Sequence, residues 1–196
     1  IIDRYDGKEE KHFFGGYGGK SELDKNVISE NMMYILRFLD GNFLGVLNSG
    51  VSNKEALGWS CTFMKEGLAI YLLYLFNGKT MHSGIKKMLN ITKNAFGSDY
   101  DDESFYTIFL LWKSTTQMSD SDKKKIINHI DKLVQKRVVG IMDANKRNYY
   151  GECAMYIAAL GEVMNAKQDY MSKFAAQYSR RRAFKDELKS FGWVSK

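Results

Sequence analysis

A chain of 196 residues with an apolar fraction of 44% is long enough to bury a core and too apolar to remain disordered. Its two cysteines, Cys61 and Cys153, exclude a disulfide framework and a zinc spacing, and its longest apolar run, the nine residues Leu68 to Phe76, is about half of the ~20 that a membrane helix needs. The net charge of +6 is uneven: residues 1–119 hold 13 Lys+Arg and 14 Asp+Glu (−1), residues 120–196 hold 16 and 9 (+7), so an acidic partner is admitted only by the C-terminal part.

Residues 1–20 are polar and Gly-rich and read as a flexible segment. Gly19-Lys20-Ser21 ends like a phosphate-binding loop, but Phe14 occupies the position of the first glycine and no β-branched strand precedes it. A mobile linker is the better reading. Because the first residue is Ile1, the chain reads as part of a longer protein. No signal peptide opens it, and free cysteines in apolar patterns fit a reducing, cytoplasmic compartment.

Residues 21–196 read as one all-helical domain, and the absence of proline fits long helices. Ser21 caps a first helix that runs through Val27, Met32, Ile35 and Leu36 to Leu39, where Asp40-Gly41 ends it. Phe43 to Leu47 form a further turn. Ser52 and Glu55 make a capping box for a helix running to Phe76, weakened by Gly58 and Gly67 and apolar on all sides from Leu68. Thr80 starts the next, ending near Gly97, and Ser98 and Asp99 cap the one carrying Phe105, Ile108, Phe109 and Trp112. The acids at Asp99 to Glu103 lack calcium-loop spacing and suit a helix N-terminus.

Ser119 or Asp120 opens an amphipathic helix with Ile126, Ile130, Leu133/Val134, Arg137/Val138 and Ile141 on one stripe. Three shorter helices follow, carrying Tyr149 to Met164, Tyr170 to Tyr178, and Phe184 to Phe191. The expected architecture is all-α: about eight antiparallel helices, as an α-solenoid or an irregular bundle. Pairs at 53–96, 101–142 and 148–191 suggest a repeat of roughly 40–45 residues.

The sharpest polar feature is Arg180, Arg181 and Arg182, with Lys185 and Lys189 at helical spacing. Cations at a helix start oppose its dipole, so an offset is required: the exposed carbonyls ending the preceding helix, or a bound anion or acidic partner. Lys146 and Arg147 beside Tyr149 and Tyr150 mix cations with aromatics, as binders of single-stranded nucleic acid do, although the tyrosines serve equally as a packed pair. His12, His82 and His129 have no ligand partner at a helical metal spacing, and His129, among lysines, reads as solvent-facing. No nucleophile elbow occurs. Glu152 and Glu162 are ten residues apart on one helix, ~15 Å, too far to work as a pair. No catalytic residue, metal ligand or cofactor is assigned.

The run QKRVVGIMDANKRNYYGECAMYIAALGEV, followed by YSRRRAFKDELKSFG, resembles the helical tail of bacterial SWIM zinc-finger family proteins and related helical-repeat proteins, over roughly the last 65 residues. The Cys-x-Cys…Cys-x-His zinc motif of that module is absent. The resemblance implies that this is the helical part alone, that no zinc site carries over, and that the chain contacts protein or nucleic acid. The resulting expectation is a non-enzymatic scaffold or protein-interaction domain, with a nucleic-acid-binding domain as the alternative. A protein partner, nucleic acid, or a second copy of the chain is the expected partner, with no membrane.

Overall fold

The computed structural model describes residues 30–51 and 67–195. The Gly-rich segment 1–20, the Ser21 cap, and the Ser52/Glu55 capping box with Gly58 and Cys61 lie outside the described residues. Among those described, the chain forms nine α-helices and no strand. They are α1 (Glu30–Leu39), α2 (Phe43–Val51), α3 (Leu68–Leu75), α4 (Ser83–Ala95), α5 (Asp102–Thr115), α6 (Asp120–Asp143), α7 (Tyr150–Val163), α8 (Lys167–Gln177) and α9 (Arg182–Ser190). A short 3-10 turn, Arg147–Tyr149, leads into α7. The fold is all-α, and no described helix is long and apolar enough to cross a membrane.

Local chemistry explains several of the helix ends. Five helices stop in one way: the residue after the cap takes a left-handed conformation, and the next N–H reaches back to the carbonyl five residues earlier. Gly41, Gly97 and Gly192 do this at no steric cost, and Asn145 and Asn165 adopt it at φ 53° and 54°. Ser119 caps α6 by accepting the Asp122 N–H at 3.0 Å. Two expected starts move. Helix α4 begins at Ser83, not Thr80, and α5 is capped by Asp101 rather than Ser98 or Asp99. Asp101 is the residue with extended backbone whose carboxylate accepts both the Ser104 N–H (2.9 Å) and its hydroxyl (2.7 Å). The turn expected at Phe43 to Leu47 is a full helix to Val51.

The contacts radiate from α7. It packs against α3, α4, α6, α8 and α9, and residues Tyr156 to Glu162 are all buried. A helix apolar on every side has no solvent face, so it takes the centre. Helix α3 is buried along all eight residues for the same reason. A stack of repeats would join each pair only to its neighbours. Here one late helix contacts α3, α4 and α6 before it in the chain and α8 and α9 after it.

Small residues set how closely α7 is approached. A Cβ on Gly84 would lie 2.4 Å from the Ala159 nitrogen and 2.7 Å from the Ala158 carbonyl carbon, so the first turn of α4 rests on the backbone of α7. At that seam the buried Glu162 carboxylate accepts the N–H groups of Gly84 (3.0 Å) and Ile85 (3.1 Å). It caps α4 from a different helix. Lys167 Nζ is 2.9 Å from the same carboxylate and 3.3 Å from Ser83 Oγ, which donates to the Phe191 carbonyl at 2.9 Å. The joint therefore ties α4, α7, α8 and the end of α9.

Helices α1, α2 and α5 meet α3 through aromatic rings. Phe38 contacts Phe43, Tyr71, Tyr74 and Trp112 at centroid distances of 4.5–5.7 Å. The Trp112 indole donates to the Leu39 carbonyl at 3.1 Å, and the Tyr71 hydroxyl donates to the Phe43 carbonyl. Burial raises the Tyr71 phenol well above its ordinary range.

Candidate functional site

The basic residues singled out in the sequence fall mainly on one corner. Helix α6 ends at Asp143 and turns through Asn145 and Lys146; helix α8 ends at Gln177 and turns through Tyr178 to Arg181. Arg181 joins the two turns. Its guanidinium donates to Asn145 Oδ1 and, at 3.2 Å, to the Met142 carbonyl in the last turn of α6. The helix end that offsets this cation is that of α6, not that of the preceding α8. A cation on carbonyls at a helix C-terminus is favoured by the dipole, and the Arg fork reaches two oxygens at once.

With Arg181 so placed, Arg147, Arg180 and Arg182 are exposed around it and Lys185 is half-buried one turn further along α9. Among the described residues none of these four has an ion pair or side-chain hydrogen bond. Lys146 is exposed on the same turn and is engaged within the fold. Lys189 separates from the group. It pairs with Asp186 at 3.2 Å, in the last turn of α9.

Beneath the corner one buried ion pair is matched, while the Tyr150 hydroxyl is enclosed without a hydrogen-bond partner. Arg137, only 5% exposed, places Nε 2.8 Å and Nη2 2.7 Å from Glu152 Oε1. Its guanidinium lies 5.5 Å from the centroid of the Tyr149 ring. Tyr150 is 2% exposed and packs edge-on against Phe184 at 5.6 Å. The tyrosines beside Lys146 and Arg147 are thus a packed pair: one ring lies against Arg137 and the other is in the core.

The remaining polar candidates are also accounted for. Glu152 and Glu162 each sit in their own ion pair. Cys153 is buried, and its thiol is pushed up to about 12, chiefly by desolvation. Cys61 and His12 lie outside the described residues. His129 is half-buried rather than solvent-facing, because α6 turns it partly inward. Its Nε2 is enclosed without a partner, and desolvation followed by the charge of Lys132 lowers its pKa. Among the described residues no three His, Cys, Asp or Glu side chains cluster in a way that could hold a metal ion.

Two residues that organise the corner were not singled out in the sequence. Asn145 supplies both the left-handed turn and an acceptor for Arg181, and Asp143 raises the Tyr178 phenol from across the turn after burial has already done so. An Asn directly after an amphipathic stripe was the available signal. Compared with models of protein families, with curated proteins and with solved structures, the chain matches none.

Proposed function

We propose that this chain is a non-enzymatic helical interaction domain that receives an acidic protein segment on the corner formed by Arg147, Arg180, Arg182 and Lys185. One observation carries this reading: three exposed arginines without an anion among the described residues surround two turns that Arg181 holds rigidly together. Arginine forks recognise carboxylates bidentately, and the turns that carry these arginines are joined through Arg181. The locked state of Glu152, Glu162 and Cys153 supports a binding role over a catalytic one. The resemblance to the SWIM-protein helical tail points the same way.

Nucleic acid is the second reading, supported by the +7 balance of residues 120–196. The packed Tyr149 and Tyr150 leave it phosphate contacts without a base-stacking platform. The test is titration of a fluorescent Glu/Asp-rich peptide, and of single- and double-stranded DNA and RNA, at low and physiological salt. The variant Arg147→Ala/Arg180→Ala/Arg182→Ala keeps Arg181 in place. The expected result is peptide binding that weakens at least about tenfold in the variant. Tight nucleic-acid binding with a logarithmic salt slope near −3 would replace this reading by the second, three phosphate contacts each contributing about −0.9. Unchanged binding in the variant, or none to any probe, would overturn both.

A further inference from the structure

The chain carries one Asn-Gly pair, Asn77-Gly78, just beyond the end of α3. Phe76 ends that helix in an extended conformation and α4 starts only at Ser83, so both residues lie in irregular chain. Asn77 is exposed, and the Gly78 N–H makes no hydrogen bond to the described backbone. A glycine after an asparagine has no Cβ to crowd the approach of its nitrogen to the side-chain amide, and its φ and ψ are the freest to permit it. Attack within one chain also needs no second molecule to be held in place.

A cation already sits on that amide. Lys113 Nζ, from the last turn of α5, donates to Asn77 Oδ1 at 3.0 Å and to the Phe76 carbonyl at 2.8 Å, over the face of Tyr74 at 5.5 Å. These contacts fix the ammonium as a donor. Asn77, Gly78, Lys79 and Lys113 line one groove of about 520 Å³, and among the described residues no carboxylate pairs with either lysine. A fixed donor on a carbonyl oxygen counts most when that oxygen gains negative charge, as it does when a nucleophile adds to the carbon.

We infer that Asn77-Gly78 is a self-modifying site, where the Gly78 nitrogen closes on Asn77 Cγ and Lys113 stabilises the negative charge that develops on Oδ1. The Gly78 nitrogen loses its proton and bonds to Cγ. The Cγ–Nδ2 bond breaks, and the amide nitrogen takes up one proton and leaves as ammonia. Water then opens the five-membered ring at Cγ, giving aspartate, or at the backbone carbonyl, giving isoaspartate. Nothing is oxidised or reduced. Opening at Cγ puts a carboxylate where the amide was, so the neutral tie between α5 and the end of α3 becomes an ion pair.

The test incubates the full chain at pH 7.5 and follows the exchange of ammonia for water by peptide mass mapping, with isoaspartyl methyltransferase to detect the second product. Asn77 is expected to convert at least about tenfold faster than the exposed Asn145 and Asn165. Lys113→Met should slow Asn77 about fivefold, a surface remnant of the hundredfold or more that an enclosed oxyanion donor supplies, with circular dichroism confirming that the helices remain. Lys113→Arg, which keeps a cationic donor, should stay within about twofold of the unsubstituted chain. Asn77→Asp should raise the thermal midpoint by about 2 °C, a gain absent when Lys113→Met is added. Conversion of Asn77 no faster than Asn145 would overturn the site. An unchanged or faster rate in Lys113→Met would overturn the role of Lys113 and make its bond a restraint on the amide. An unchanged midpoint in Asn77→Asp would overturn the ion pair in the product.

Discussion

The two ends of α7 handle charge in opposite ways. At its C-terminal end the buried carboxylate is matched: Glu162 takes two backbone N–H groups and Lys167, and Ser83 continues the chain of bonds to Phe191. At its N-terminal end one pair is matched, Arg137 with Glu152, and one arginine is spent on a helix end, while Arg147, Arg180 and Arg182 stay exposed in excess. A buried charge must find its partner inside the fold, because leaving it unpaired costs several kcal/mol. An exposed charge is under no such requirement, so a surplus can be kept for something outside. The first end is a joint and the second is a surface.

That contrast can be broken from the joint side first. Glu162→Ala strips two buried N–H groups of their acceptor and leaves Lys167 without its carboxylate, and should cost about 4 kcal/mol in urea unfolding. Gly84→Ala places a methyl group within the backbone of α7 and should cost about 3 kcal/mol, because no flexible side chain can yield there. A loss below about 1 kcal/mol in both would mean that the joint is not closed. Arg181→Ala is intermediate: it removes a cation from the end of α6 and should cost about 1 kcal/mol. The surface variant Arg147→Ala/Arg180→Ala/Arg182→Ala should change stability by no more than about 0.5 kcal/mol while weakening binding of the acidic peptide at least about tenfold. A large stability loss there would turn the surface into a second joint.

The smallest expected effect is one of pH, at His129. Burial lowers its folded pKa below the unfolded value, so the unfolded chain binds more protons as acid is added. Stability from this group is present above the unfolded pKa of about 6.5 and is lost as pH falls through that range. His129→Gln should therefore narrow the difference in thermal midpoint between pH 7.5 and pH 5.5. No narrowing would mean that the imidazole is hydrated in the fold.

Local rules read much of this molecule correctly. Ser119, Gly41 and Gly97 mark helix ends because capping depends on residues a few positions apart. The stripe from Ile126 to Ile141 gives α6, and the all-apolar run after Leu68 gives the buried α3. Cys153 reads as a small buried hydrophobe and is one. What local rules miss depends on partners distant in the chain. Glu162 meets Gly84 across 78 positions, and Lys113 meets Phe76 across 37. The basic residues at 146–147 and at 180–182 read as two features, and Arg181 bonding Asn145 across 36 positions brings their turns together. His129 was misread because its lysine neighbours advertise solvent while the helix turns the ring partly inward.

The position of α7 along the chain also bears on how the protein is made. Helix α4 is complete at Ala95, but the helix it rests on is complete only at Val163, 68 residues later. At about 5–20 residues per second of synthesis, that interval is about 3 to 14 s. Throughout it, Ile85, Met88 and Leu89 of α4 are synthesised before the helix on which α4 rests. Docking of α4 onto α7 therefore waits for the synthesis of residues 150–163.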